Sequence, residues 1–286
     1  MRARPAAPAP GVRHPGETAP AGLAPLLDLD PELGALLSPA RRSAALQQLV
    51  VPSQRLRVGA WDPAGVVGAG PRDLGLLVVE GLLAREVLAE NIVSTELLGA
   101  GDVIRAGRAP TGSLIRMCVQ WSVLAEARIA LLATHRLVAF PELLPALAER
   151  MLERSERLAV EQAISKLTGL DRRLVALFWH LAERWGRVTS DGVAIPIALS
   201  HRILAQLVGA RRPSVSTALA ELAREGVLAR AADGSWLLTG AAPAAPAAPR
   251  EPGRPVPGRR RLSEPAARRS RRTAATHLHP VDERSV

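Results

Sequence analysis

The chain is short of cysteine and of long apolar runs, and both shortages exclude whole classes of protein. Cys118 is the only cysteine, so an intramolecular disulfide and a cysteine-ligated metal cluster are both excluded. We interpret Cys118 as a small buried hydrophobic residue. The most apolar stretch, residues 74–88, is interrupted by Glu80, Arg85 and Glu86, so no membrane span is expected.

Signals for export and for catalysis are missing as well. The first residues carry arginine and proline without the apolar core of a signal peptide, so we expect a cytoplasmic protein. No serine, cysteine or carboxylate pair stands at a recognisable catalytic spacing. We therefore expect no enzymatic activity, no cofactor and no metal site.

The chain is strongly basic, but most of the charge lies at its ends. The formal net charge is +10. Residues 241–286 hold ten arginines against four acidic residues, and residues 1–22 hold three against one. Both ends are rich in alanine and proline, which predicts disordered tails. An argument for nucleic-acid binding must therefore rest on a motif in the central region.

Between the tails the sequence changes character along its length. From residue 60 to residue 140, short apolar runs alternate with glycine and turn residues, which predicts strands packed as a small barrel or roll. Helical patterns dominate after that. The sequence divides into a tail at residues 1–22, a β-roll at 23–140, a long helix at 141–167, a compact domain at 168–240 and a basic tail at 241–286.

The long helix carries a narrow apolar seam. Leu144, Leu147, Met151 and Leu158 follow one another at three-, four- and seven-residue steps, and Arg154 interrupts them. Charged residues flank the seam, namely Glu149, Arg150, Glu153, Arg157 and Glu161. Such a helix could pack on its own domain, but the narrow seam and charged flanks favour pairing with a copy of itself.

The most informative stretch, residues 200–230, predicts two short helices joined by a tight turn. Ser200 is suited to cap the first helix, and Gly209 to end it, because glycine adopts a positive φ at little cost. The second helix begins near Arg212, with Pro213 tolerated in its first turn. Its apolar residues, expected to be buried, are Val215, Ala218, Leu219 and Leu222.

Two hairpins are predicted on either side of this motif. After it, apolar runs flank the turn dipeptide Asp233-Gly234 and predict a wing. Before it, short runs flank Asp191-Gly192. A hairpin, two helices and a wing together make a winged helix-turn-helix.

From Asp171 to Leu238 the chain resembles the DNA-binding domain of the Crp-Fnr family of bacterial transcription regulators, since the elements follow that family's order and spacing. The resemblance implies an α+β protein with a cyclic-nucleotide-binding-like β-roll, a dimerisation helix and a winged helix-turn-helix. It implies double-stranded DNA as partner, a homodimer, and RNA polymerase as a candidate further partner. It places Arg212 at the base-contacting arginine, whereas Pro213 and Thr217 replace an acidic and a basic residue of well-known members. The expected DNA-binding residues are Arg211, Arg212, Pro213, Ser214, Ser216 and Thr217.

The resemblance is weaker in the β-roll. Residues 97–103 look like the turn before the family's phosphate-binding cassette, but Ile104 and Arg105 follow where the cassette should begin. We therefore expect the fold without a cyclic nucleotide, and interpret Arg105, Arg108 and Arg116 as exposed arginines. An alternative function is a winged-helix protein-interaction module with a non-sensing β-roll. The arginine and hydroxyls on the second helix favour DNA.

Overall fold

The structure is a computed structural model that describes residues 22–63, 66, 73–90, 92–105, 116–240 and 242. Except for Gly22 and Ala242, the two predicted tails lie outside the described residues, and so does Arg108. No helix in the described part of the chain is both long enough and apolar enough to cross a membrane.

In the described part of the N-terminal half, seven strands form an antiparallel sheet that is joined by short helices. Its strands are β1 Gly22–Pro25, β2 Val50–Leu56, β3 Gly59–Trp61, β4 Gly75–Ala89, β5 Ile92–Gly99, β6 Val103–Ile104 and β7 Met117–Leu132. The helices are α1 Leu26–Leu29, α2 Pro39–Gln48 and α3 Thr134–Leu137, with 3₁₀ turns at Pro31–Gly34 and Pro141–Leu143. The main strand order is β1-β2-β7-β4-β5, while β3 pairs with β7 and β6 with β4.

The long pair β4 and β7 sends its side chains into separate cores. Leu77 packs with α1 and α2, whereas Leu83 and Trp121 belong to a cluster inside the roll. Register shifts between Val78 and Leu83 change which side chains face which core. Leu82, within this stretch, and Ala84, just after it, pack against the C-terminal domain. One sheet therefore serves both halves of the molecule.

Cys118 is exposed, so its interpretation as a buried hydrophobic residue is wrong. Side chains alternate along β7, and Cys118 shares its direction with exposed Gln120, while Trp121 points inward. The alternation of side chains along β7 therefore accounts for the exposure of Cys118, whereas its residue type predicted burial.

The long helix is α4, Leu144–Ser165. The face that it packs against the rest of the chain includes residues that the sequence assigned to the self-pairing seam and to its charged flanks. Leu147 is 1% exposed and packs in the core that holds α1 and α2, so its assignment to a self-pairing seam is wrong. Arg150, Arg157 and Glu161 are half-buried against the same chain rather than solvated flanks. Arg154, placed in the seam by the sequence, lies on that face too.

Ion pairs hold this face of α4 on the β-roll. Arg154 binds Glu96 through both carboxylate oxygens, at 2.6 and 2.9 Å. Arg150 forms a bidentate pair with Asp30, and Arg157 pairs with Asp102. Each acidic partner is largely buried. The charged residues on this face therefore attach the helix to its own domain.

The other three seam residues remain uncovered in the single chain. Leu144 and Met151 are each 45% exposed and Leu158 is 38% exposed. Seven-residue steps place them in one stripe, about 90° around the helix from the ion-pairing face. Ala148 and Ala159 lie beside the stripe and are exposed as well.

The C-terminal domain has the predicted elements in the predicted order. They are α5 Leu170–Trp185, β8 Arg187–Thr189, β9 Gly192–Ile195, α6 His201–Leu207, α7 Arg212–Arg224, β10 Leu228–Arg230 and β11 Trp236–Leu238. The four strands form one antiparallel sheet in the order β10-β11-β9-β8. Phe178 and Trp236 meet at the centre of the core, with ring centroids 4.8 Å apart. The winged helix-turn-helix is confirmed.

Candidate nucleic-acid interface

The turn between α6 and α7 forms as its residues predict. Ser200 caps α6, because its Oγ accepts a hydrogen bond of 3.3 Å from the backbone N–H of Ile203. Gly209 has a φ of +62°, which most other residues would adopt only with strain. The N–H of Ala210 then donates to the Ala205 carbonyl at 2.8 Å and closes the helix end.

Helix α7 buries one face and presents the other to solvent. Its buried side chains are the four expected ones, Val215, Ala218, Leu219 and Leu222. Five of the six residues assigned to DNA are exposed, namely Arg211, Arg212, Pro213, Ser214 and Thr217. They lie in the first turns of α7 and just before it. Ser216 is half-buried.

Two of the three hydroxyls on α7, those of Ser216 and Thr217, already have partners. Ser216 Oγ donates to the Arg212 carbonyl at 3.1 Å, and Thr217 Oγ1 donates to the Pro213 carbonyl at 3.3 Å. Each hydroxyl therefore offers lone pairs to a ligand, unless it rotates away from its own helix.

His201 is a neighbour of this surface that sequence reasoning missed. Its Nδ1 lies 2.8 Å from Ser216 Oγ, across the turn. Burial lowers the pKa of His201, and the nearby charges of Arg230 and Arg212 lower it further. Its position after the cap residue was visible in the sequence, but its contact with a residue on the next helix was not.

The β-roll contacts the first helix of the motif. Arg202 on α6 pairs with Glu86 on β4, with Nη1 and Oε1 2.7 Å apart. Thr95 on β5 donates a hydrogen bond of 3.1 Å to Gln206 on α6. Apolar residues of β4 and β5 complete the contact. Helix α6 is therefore attached to the sheet, and the exposed face of α7 is left open.

A buried carboxylate joins three parts of the chain. Asp102, which is 1% exposed, lies in the turn between β5 and β6. It accepts a 2.8 Å hydrogen bond from the Gly99 backbone and pairs with Arg157 on α4. Arg184 on α5 lies 2.8 Å from its other oxygen.

A second carboxyl near this cluster is strongly perturbed. Burial raises the pKa of Glu161 on α4 to about 7, and the negative charge of nearby Glu96 raises it as well. Arg157 and Arg184 oppose the shift without cancelling it. Glu161 therefore titrates close to neutral pH.

The residues where a cassette would begin do not resemble an anion site. Ile104 is buried in the core of the roll, and Arg105 and Arg116 are exposed, as expected. Most of the connection between Arg105 and Arg116 lies outside the described residues. Inside the roll, Trp61 and Trp121 form an edge-to-face pair with centroids 5.8 Å apart.

Comparison with known proteins identifies the C-terminal domain and the fold. Residues 172–238 match the family model of the Crp-like helix-turn-helix domain. No curated protein matches the sequence. The solved structures that resemble the chain include a cyclic nucleotide-binding domain containing protein from Listeria monocytogenes. It is 16% identical, with a TM-score of 0.54 over 73% of this chain and 96% of that one.

Two further structures are similar at the same level. A CRP-family transcriptional regulator from Thermus thermophilus is 24% identical, with a TM-score of 0.50 over 65% of this chain and 91% of that one. FixK2 from Bradyrhizobium japonicum is 14% identical, with a TM-score of 0.50 over 66% and 93%. At these identities the likeness shows the fold. The chain therefore carries a Crp-like helix-turn-helix DNA-binding domain on the fold of the Crp/FNR family of transcription regulators.

Proposed function

We propose that the protein is a homodimeric, sequence-specific transcription regulator that reads double-stranded DNA in the cytoplasm. The observation that carries this proposal is the exposed first part of α7, where Arg212 leads a surface of small and hydroxyl side chains. A helix presented in this way fits the major groove. Arginine binds the O6 and N7 of guanine with two hydrogen bonds, which makes Arg212 the proposed base reader.

The other proposed contacts follow from their position. Arg211 precedes the helix and is exposed, so we assign it to a phosphate, and Thr217 lies one turn after Pro213 on the same exposed face. Ser214 and Ser216 supply hydroxyl oxygens. Pro213 has no N–H to donate, so its contribution is shape and apolar contact.

Dimerisation is proposed for the uncovered stripe of α4. Leu144, Met151 and Leu158 repeat every seven residues, which is the spacing of a coiled-coil seam. A two-fold pair of such helices would present two copies of α7 to two half-sites about one helical turn apart.

A protein-interaction module is the second candidate function. Its support would be an exposed surface of large apolar residues, since these are enriched in the cores of protein interfaces. The exposed part of α7 carries arginine, proline, serine, threonine, alanine and glutamate instead. The surface therefore favours DNA. RNA polymerase stays a candidate further partner of the DNA-bound protein.

Replacing Arg212 by alanine is expected to weaken binding to a specific duplex by ~1–3 kcal/mol and to relax preference at one base pair of each half-site. Arg224, exposed in the last turn of the same helix, provides a matched control. Affinities of the parent, Arg212→Ala and Arg224→Ala for one selected duplex and its single-base variants give the answer. Unchanged discrimination in Arg212→Ala would remove it as a base reader.

Cyclic AMP and cyclic GMP are expected neither to bind at micromolar concentration nor to change the affinity for DNA. A cyclic phosphate requires a positive charge and converging donors in a short loop. Here the chain places buried Ile104 where that loop would begin. Calorimetric titration with each nucleotide measures this directly, and micromolar binding of either one would contradict the proposal.

Deleting residues 241–286 is expected to lower affinity for non-specific DNA and to flatten its dependence on salt. This segment, which lies outside the described residues except for Ala242, holds ten arginines against four acidic residues. Arginines that contact phosphates add counterion release without reading sequence. The preferred sequence should stay the same. A truncated protein that selected a different sequence would show that the tail takes part in base recognition.

A further inference from the structure

His201 lies beside α7 and is not among the proposed DNA contacts. We propose that His201 is a positioning residue of the DNA interface and that it takes up a proton when DNA binds. This inference rests on the proposed function, because it requires that DNA phosphates approach the surface of α7.

The first support is the hydrogen-bond geometry. Ser216 has one hydroxyl proton, and its geometry directs that proton to the Arg212 carbonyl at 3.1 Å. With that proton on the Arg212 carbonyl, we assign the 2.8 Å contact between Ser216 Oγ and His201 Nδ1 as a hydrogen bond donated by the ring Nδ1–H. His201 therefore fixes the Ser216 hydroxyl from the neighbouring helix. The neutral ring keeps its Nε2 lone pair, so protonation at Nε2 leaves this bond intact.

The second support is the charge around the ring. Partial burial disfavours the imidazolium, and the charges of Arg230 on the wing strand β10 and Arg212 on α7 act in the same direction. Arg230 is held in place over the ring of Trp236, 5.5 Å from its centroid. The His201 ring also faces Trp236, with centroids 6.5 Å apart. The pKa of His201 is thus lowered, which favours the neutral ring in the free protein.

DNA reverses this balance. Phosphates that approach Arg230 neutralise one charge that repels the imidazolium, guanine acceptors bound by Arg212 offset the other in part, and phosphates attract a positive ring directly. Binding then raises the pKa of His201, so the complex holds more protons than the free protein. By linkage, affinity rises as pH falls through the pKa of the complex and levels off below the pKa of the free protein. Each pKa unit gained on binding corresponds to about tenfold in affinity per subunit.

The test uses the full chain and a duplex selected from a randomised pool at pH 8. Affinity for that duplex is measured between pH 5.5 and pH 8.5. His201→Asn keeps an N–H near Ser216 but cannot titrate, so its affinity should not rise as the pH falls, whereas that of the parent should. His201→Phe removes the donor as well and should lose affinity and discrimination at every pH. Calorimetry in buffers of different ionisation enthalpy should show proton uptake by the parent alone.

Glu161 also titrates in this pH range, because its pKa is about 7. It is present in both the parent and His201→Asn, so the difference between their pH profiles reports His201. A pH dependence that is equal in the parent and in His201→Asn would overturn the inference and leave DNA binding in place. Failure to select any duplex at any pH would overturn the proposed function itself.

Discussion

Replacing Met151 and Leu158 by glutamate is expected to convert the protein from a dimer to a monomer and to lower its affinity for a selected duplex at least a hundredfold. Both side chains belong to the exposed stripe of α4, so charges can be placed there without opening the core of the chain. A monomer engages one half-site and loses the gain of about 10²–10⁴ that a linked pair provides. Sedimentation at micromolar concentration and titration with the duplex measure the two effects.

Val160→Glu is the matched control for this prediction. Val160 is an exposed apolar residue of the same helix, about 180° from the stripe at 100° per residue. It should leave both the mass and the affinity unchanged. A parent protein that sediments as a monomer, or a double variant that remains a dimer, would contradict pairing through α4.

Replacing Asp102 by asparagine is expected to destabilise the protein by about 3 kcal/mol, because it removes a buried charge that two half-buried arginines share. Asparagine keeps the size of the side chain, so the loss reports charge and hydrogen bonding rather than a cavity. Arg157 and Arg184 would face a neutral amide that can accept but cannot balance them. Denaturant unfolding of the parent and the variant measures the difference.

Glu153→Gln is the comparison for Asp102→Asn. Glu153 also approaches Arg157, at 3.9 Å, but its side chain is 58% exposed. An exposed pair of this kind contributes less than about 1 kcal/mol. Equal effects of the two substitutions would mean that burial of Asp102 adds nothing, and that this cluster is no stronger than surface charge.

The parts of the fold that sequence predicted well are governed by local rules. Ser200, Gly209 and Pro213 each specify backbone geometry within a few residues, so the helix-turn-helix was predictable to nearly the residue. The wing followed from Asp233-Gly234 in the same way. The backbone N–H and the hydroxyl of Ser235 both donate to Asp233 Oδ1 in that turn.

The long helix was predictable as a helix but not in its orientation. Leu147 and Leu144 lie on adjacent faces, and periodicity alone cannot say which one meets the chain's own core. The β-roll determines which face of α4 it contacts, because Glu96 and Asp102 lie opposite Arg154 and Arg157. Sequence alone predicts that a helix face rich in arginine is exposed to solvent. The acidic partners of these arginines lie over fifty residues away in the chain, so the sequence pattern does not indicate them.

Within the candidate site, sequence indicated the exposed residues and missed those that support them. Arg212 and Thr217 follow from the helical period. The contact of His201 with Ser216 depends on how two helices cross, and that of Arg202 with Glu86 on how two domains dock. A local sequence pattern specifies neither the crossing of the two helices nor the docking of the two domains.

In the proposed dimer, two copies of α7 read a two-fold symmetric site. Selection of duplexes from a randomised pool by the full chain, followed by footprinting of the enriched sequences, tests it most directly. We expect an inverted repeat whose half-sites are centred about 10 base pairs apart. Enrichment of a single unrepeated motif, or no enrichment over the starting pool, would contradict the account.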